Sequence, residues 1–531
     1  MNHMKRAALV LLASATLAGC KTMAPDYVRP ETPVPPSWPL GDAYLAQSEA
    51  ALPAVTYQDI FRDQRLQALI RQALINNPDL RVAAANIRIA REQYRIQRAD
   101  LLPEIGAGLG GTVSGGSGSG STVTGGNSGT GNGGTGTGGT GTGGTGTGGT
   151  GTGGTAGGSG TGTGTAVTGS GSGTRTRFSA SGGVTAFELD LFGRIASLTE
   201  AEQNRYFATE AAARATRLTL IGDIADAWLT YAADKSLLAI AQDTAESAER
   251  SVRLTRARLQ GGIAPRTDLR QAEQILEGAR ADLALQTTAL AQDVNALQLL
   301  VGNPVAETLL PRSIDEAAPS VTELPAGVDS QVLLRRPDVV QAEYTLRAAN
   351  AEIGAARAAL FPRITLTGVL GLASDALAGL FRGGAFTWSG GANANYSIFN
   401  AGAARAGVRL TQAQRDASVA AYERTIQIAF REVADALARR GTVTEQLRAT
   451  GAQAEAAADT YRLAEARYRG GIDTFLATLD AQRSLYAARR TLVTTRLTQA
   501  SNLVTLYRTL GGDSMLDARS DGPALMGPDA Q

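Results

Sequence analysis

The chain has 531 residues and is nearly neutral, with 50 Lys and Arg against 49 Asp and Glu and a formal net charge of +1. Such a balance provides no field to attract nucleic acid, and no basic stretch interleaves with aromatics for base stacking, so nucleic-acid binding is excluded. The sole histidine, His3, and the sole cysteine, Cys20, both fall in the first twenty residues; the rest therefore excludes Ser-His-Asp and Cys-His catalysis and zinc sites built on His or Cys, and neither an enzyme nor a resident cofactor is expected.

The N-terminus reads as a targeting segment. Lys5-Arg6 supplies a positive region, Ala7 to Ala18 an apolar run too short to span a bilayer, and Leu17-Ala18-Gly19-Cys20 a cleavage site. Residues 1–19 are thus expected to be a signal peptide. Leu-Ala-Gly-Cys resembles the bacterial lipobox, whose cysteine becomes the lipidated first residue, so Cys20 is expected to carry a covalent lipid. Lys21 follows in place of the aspartate associated with inner-membrane retention, which implies sorting to the outer membrane. Residues 20–56, proline-rich from Pro25 to Pro39, read as an extended lipidated tether.

From there the chain is written twice. Leu101-Leu102-Pro103-Glu104-Ile105 recurs as Leu360-Phe361-Pro362-Arg363-Ile364, each 25 positions after a Pro-Asp pair, at Pro78 and Pro337. Gly193, Asp226-Ala227, Gly261-Gly262-Ile263 and Gly302 recur without a gap, 209 positions later, as Gly402, Asp435-Ala436, Gly470-Gly471-Ile472 and Gly511. The expected organisation is a first repeat over 57–310, a linker over 311–330, a second repeat over 331–512 and a tail over 513–531. A repeat of this kind is one supersecondary unit built twice, burying its apolar face against its copy or a neighbouring chain.

Within the first repeat, 90 positions separate Pro103 from Gly193, against 40 between Pro362 and Gly402. The surplus is the Gly/Thr/Ser tract from about Gly111 to Thr174, which cannot bury a core and reads as a disordered expansion of one loop. It lies between two weak, glycine-rich strands, near Glu104 to Val113 and Phe178 to Leu191. Their second-copy equivalents alternate more clearly. Ile364, Leu366, Gly368, Leu370 and Leu372 share one face, and so do Phe386, Trp388, Gly390, Ala392, Ala394, Tyr396 and Ile398. No apolar run after the leader is long enough for a transmembrane helix, so any membrane span must be a closed barrel. Closed membrane barrels begin at about eight strands; four require oligomerisation, and two or three protomers both satisfy the count.

The remainder is helical. Helices from about Arg194 to Leu259 and Ala403 to Arg469 would each be about 100 Å long at 1.5 Å per residue. Leu276, Leu283, Leu290 and Leu297 form a heptad seam, repeated as Leu485, Leu492, Gln499 and Leu506 with one polar break.

Five segments in order, namely the lipobox, Arg335 to Glu343, Glu188 to Arg194, Ile398 to Gly402, and Gly470 to Asp473 with Leu479 to Tyr486, resemble the TolC-like outer-membrane efflux proteins of the NodT-type lipoprotein branch. The resemblance implies a mainly α protein with a membrane β part: a homotrimer sharing a twelve-stranded barrel above a periplasmic α-helical tunnel. It implies a passive exit duct for drugs or other small amphiphiles. The duct would be joined through a periplasmic adaptor to an inner-membrane transporter of the resistance-nodulation-division class. It also places a periplasmic gate at Leu476 (apolar constriction), Asp480 (acidic ring) and Arg483 (partner in the closing network), with threefold repetition of Asp480 favouring cations. The turns at Gly261-Gly262 and Gly470-Gly471, whose glycines suit positive φ, become adaptor-docking tips, flanked by Arg258, Arg467 and Arg469, which serve as helix-end caps or adaptor contacts. Two other readings are an exit duct for secreted polypeptides and a lipid-anchored coiled-coil scaffold without a pore.

Overall fold

A computed structural model describes residues 22–35, 37–39, 44, 56–114, 175–322, 330–512 and 516–525. Cys20, the leader and most of the Gly/Thr tract lie outside these. The described residues form two compact units: a helical unit from those within 22–103, 188–365 and 393–525, and a sheet unit from those within 104–114, 175–187 and 366–392.

The helical unit contains α1 (Tyr57–Ile60), α2 (Gln64–Asn76), α3 (Pro78–Ala99), α4 (Arg194–Gln260), α5 (Arg266–Val301), α6 (Ile314–Ala317), α7 (Pro337–Ala358), α8 (Ala403–Arg469) and α9 (Phe475–Thr509). The duplication is visible in the lengths: α3 and α7 are 22 residues each, α4 and α8 are 67 each. Helix starts follow local chemistry. Asn77 accepts hydrogen bonds from the Asp79 and Leu80 amides ahead of Pro78, and Gly193 and Gly402, at φ 69° and 83°, turn the chain into α4 and α8.

Both repeats and the segment joining them share one core, in which Trp228, Tyr422, Tyr507, Phe61 and Leu66 are fully buried. The Trp228 indole N–H, which could not be buried unpaired, donates to the Leu309 carbonyl at 3.1 Å. Arg336, in the repeated Pro-Asp motif, is buried; it donates to the Thr509 carbonyl at 2.8 Å and to the Asp338 and Glu432 carboxylates, fixing the end of α9 to the start of α7.

The proline-rich segment is extended, as its composition requires, but it is docked along α7 rather than loose. Its course is antiparallel to the helix. Arg357 donates to the Met23 carbonyl (3.2 Å) and Asn350 to the Pro25 carbonyl (2.8 Å). Farther along, Ser330 donates to the Pro35 carbonyl (2.8 Å), and Trp38 stacks on Phe430. The centre of the strap is Glu343, whose side chain is wholly buried. It accepts from Tyr27 (3.2 Å) and pairs with Arg29 and Arg347, both at 3.0 Å. A lone buried carboxylate would be prohibitively costly; two guanidiniums make it tolerable. Gly354 allows the close approach, since a Cβ there would meet the Ala24 nitrogen at 2.6 Å.

Between α4 and α5 lies an unusual pair, Asp234 and Asp293. Burial, and then the Asp234 charge, push the Asp293 carboxyl up to about 7, and its Oδ2 is buried without a hydrogen-bond partner.

The sheet unit has four strands in the order β1-β2-β3-β4: β1 (Ile105–Ser114), β2 (Arg175–Leu189), β3 (Arg363–Ser374) and β4 (Phe386–Asn395). β1 and β2 are antiparallel, from Ile105 opposite Val184 to Ser114 opposite Arg175. Ile105, Leu109 and Val113 on β1, Leu370 on β3 and Phe386 and Trp388 on β4 are exposed, the pattern of a sheet whose apolar face meets lipid. β1 falls where the pattern places it, to within a residue, whereas β4 stops at Asn395, because the alternation through Ile398 has no strand to pair with. A two-stranded piece, β5 (Leu516–Asp517) with β6 (Ala524–Leu525), lies in the C-terminal segment. Among the described residues no helix is long and apolar enough to cross a membrane.

Replacing Glu343 by Gln should strand two guanidiniums; amide hydrogen exchange over residues 22–35 should then speed up at least tenfold, with exchange in the core around Trp228 unchanged. Asp293 binds its proton more tightly folded than unfolded, so its contribution to stability is present below the ordinary aspartate pKa and is lost as pH rises toward about 7. Asp293→Asn should flatten the decline of the unfolding midpoint between pH 5 and 8, which thermal melts across that range would measure.

Candidate functional site

The tips of the two long hairpins come together in the helical unit. Each ends in the same turn. Gly262 and Gly471 take φ 75° and 76°, and the Ile263 and Ile472 amides reach back to the Arg258 and Arg467 carbonyls, closing paired Schellman motifs. Only the second glycine of each pair uses its freedom at positive φ; Gly261 and Gly470 sit at −79° and −75°.

Beneath these turns Val252, Leu276, Tyr468, Phe475 and Leu479 form a separate apolar cluster drawn from all four long helices. Arg258 locks it. Its guanidinium lies 4.3 Å from the Tyr468 ring centre and donates to the Tyr468 carbonyl at 3.0 Å and the Arg469 carbonyl at 3.2 Å, so the first tip caps last-turn carbonyls of the second. Arg467 and Arg469 are engaged locally. Arg467 bridges the turn to Asp473, whose carboxyl it holds below the usual range, and Arg469 pairs with Glu465. The apex that remains is apolar: Ile263 is 77% and Ile472 68% exposed. Sequence reading overlooked these two isoleucines; the available signal was a large aliphatic residue after each Gly-Gly, where solvated turns favour polar ones.

Leu476, Asp480 and Arg483 fall at i, i+4 and i+7 of α9 and share one exposed face, while Phe475 and Leu479 turn into the cluster and Gln482 is buried. Leu476 is 54% exposed. Among the described residues Asp480 and Arg483 make no ion pair with each other or with other side chains, which leaves an acid and a base side by side without intrachain partners. No group of three or more His, Cys, Asp or Glu among the described residues could hold a metal.

Long paired helices, a four-stranded sheet with an apolar exposed face and a helical end carrying charged, unpartnered side chains define a membrane-channel protomer. The sequence profile of the outer membrane efflux protein family matches residues 69–141, 146–303 and 328–512, and the chain belongs to that family. It is 41% identical over 512 residues to the probable efflux pump outer membrane protein TtgC of Pseudomonas putida, covering 96% of each chain. It is 36% identical over 502 residues to outer membrane protein OprJ of Pseudomonas aeruginosa, covering 94% of this chain and 95% of the relative. Among solved structures, CusC superimposes with a TM-score of 0.75 at 33% identity, covering 93% of this chain and 100% of that one. The open state of the MtrE outer membrane channel of Neisseria gonorrhoeae gives 0.75 at 32%, covering 94% and 100%. The protein is therefore an outer-membrane efflux channel, resident in the outer membrane.

Arg258→Ala removes two charge-assisted hydrogen bonds and a cation–π contact in a half-exposed site and should cost about 1–2 kcal/mol, read as a lower denaturant midpoint with an unchanged slope.

Proposed function

We propose that three copies of this chain form the exit duct of a tripartite pump that passively conducts small amphiphilic compounds to the cell exterior. The observation that carries the reading is the open sheet: β1 and β4 each keep one edge unpaired among the described residues, and four strands are too few to close a barrel, whereas three copies give twelve. Relatives named as toluene and antibiotic efflux pump outer membrane proteins favour small, largely apolar substrates over exported polypeptides. In this reading Cys20 carries the lipid, and the strap on Glu343 fixes the chain that leads to it. The tips around Gly261, Gly262, Gly470 and Gly471 receive a periplasmic adaptor, with Ile263 and Ile472 as apolar anchors and the arginines Arg258, Arg467 and Arg469 shaping the surface. The adaptor links the duct to an inner-membrane transporter of the resistance-nodulation-division class, where energy enters.

The gate lies on the exposed face of α9. Threefold symmetry brings three Asp480 carboxylates together, Leu476 narrows the passage one turn away, and Arg483 finds on a neighbouring protomer the partner it lacks among the described residues of its own chain. In cells lacking the native duct, expression of this chain should restore resistance to amphiphilic drugs. Asp480→Ala should retain that resistance while making cells at least fourfold more sensitive to bulky hydrophilic antibiotics that an intact outer membrane excludes. Unchanged sensitivity in the variant would remove Asp480 from the gate.

A further inference from the structure

A cleft of about 260 Å³ opens where α4, α8 and α9 meet, and its lining is largely polar. The helices present side chains spaced to share one face: Asp243 and Ser247 on α4, Tyr461 on α8, and Gln482, Tyr486 and Arg489 on α9. Part of this lining is satisfied within the chain. Tyr486 donates to Asp282 at 3.1 Å, the Ser247 and Tyr461 hydroxyls lie 2.8 Å apart, and Glu246 sits 3.9 Å from Arg250. Three groups are not matched. Gln482 is only 6% exposed, and its Nε2 is buried without a hydrogen-bond partner. Arg489, half-buried, and Asp243, exposed, make no ion pair among the described residues. The first repeat has no equivalent. The residue 209 positions before Gln482 is Glu273, which pairs with Arg256 and Arg270, and the one before Tyr461 is Val252, buried in the tip cluster.

A buried donor without an acceptor destabilises the folded chain, so the amide of Gln482 calls for a partner from outside it. We propose that the cleft binds a small zwitterion bearing a primary ammonium and a carboxylate, of the size of a free amino acid. The carboxylate accepts from Gln482 Nε2 and from the Arg489 guanidinium, which lie two turns apart on one face of α9. The Ser247–Tyr461 pair spends one hydroxyl proton between its own oxygens and has a second to donate to the same ligand. The ammonium faces Asp243, with Glu246 one turn along α4. Other ligand classes fit less well. An apolar molecule or a simple cation would leave Gln482 unpaired, and a multiply charged anion would be repelled by Asp243 and Glu246. Drug-sized ligands occupy roughly 300–1,000 Å³, more than the cleft offers, so it is not a holding site for the transported compounds. The lining comes from one protomer, so the site requires neither the trimer nor the gate. Because it draws on three helices, an occupant stabilises the arrangement that brings α4, α8 and α9 together.

The test is isothermal titration calorimetry of the purified full-length protein with glycine, β-alanine, γ-aminobutyrate and δ-aminovalerate, a series that varies only the distance between ammonium and carboxylate. Butylamine and butyrate, each with one of the two charges, serve as comparisons. At least one member of the series should bind at least tenfold more tightly than either comparison. Gln482→Leu, Arg489→Gln and Asp243→Asn should each weaken that binding at least tenfold with the helical circular dichroism unchanged. Gln482→Leu, which removes the unpaired donor, should also raise the denaturant midpoint of the ligand-free protein. If that variant does not fold, Arg489→Gln and Asp243→Asn decide the matter, since neither group makes an ion pair within the described chain. A series that binds no better than butylamine or butyrate overturns the site, and so does binding that survives the substitutions. Either result leaves the exit-duct reading intact.

Discussion

A sheet in lipid has to satisfy its backbone hydrogen bonds within itself, because the surroundings supply no partner for an open edge. That constraint governs this protein. One chain brings four strands with glycine-rich and apolar faces and two edges left over, so the membrane part cannot be finished by one protomer. The duplication answers the same problem in the helices. Each repeat supplies a first helix and a long hairpin, and each long helix needs a first helix on either side. A single chain meets that need for α4 and leaves it unmet for α8. Both units are left open in one chain, and in the proposed trimer more copies of the same chain close the sheet.

Duplication also allowed the copies to take on separate tasks. α7 carries Arg336, Glu343, Asn350 and Gly354, which hold the core closed and bind the N-terminal strap. At the matching places the first copy has Asn77, Ala84, Arg91 and Arg95, residues that cap a helix or face solvent and that could not seat a strap. The buried Glu343 cluster is therefore a device of the second repeat alone. It costs desolvation of three charges and returns a fixed register between the N-terminal segment and the helix that runs toward β3.

Much of this architecture can be read from the sequence. Helix periodicity and glycine-bounded turns place α4 and α8 to within a residue or two, the heptad seam marks α5 and α9 without giving their ends, and strict alternation locates β3 and β4. Strand ends are less legible because they depend on a pairing partner, as Tyr396 to Ile398 illustrate by alternating without being paired. The strap on α7 was hidden for a related reason. Proline content announces an extended chain but not what it lies against, and Glu343 looks like any helix-surface acid until Arg29, more than 300 positions away, is placed on it. The reading of Asp480 as a gate acid comes only from family resemblance; nothing in its local sequence distinguishes it from a solvated helix acid, and in one protomer it is exposed like one.

The most direct test of the account is single-channel recording of the purified, full-length protein in planar lipid bilayers. A conducting pore, small and cation-selective at rest, is the predicted result, since three protomers would enclose a lumen narrowed by a ring of carboxylates. Reproducible insertion without conductance would contradict the account and favour a lipid-anchored helical scaffold that encloses nothing.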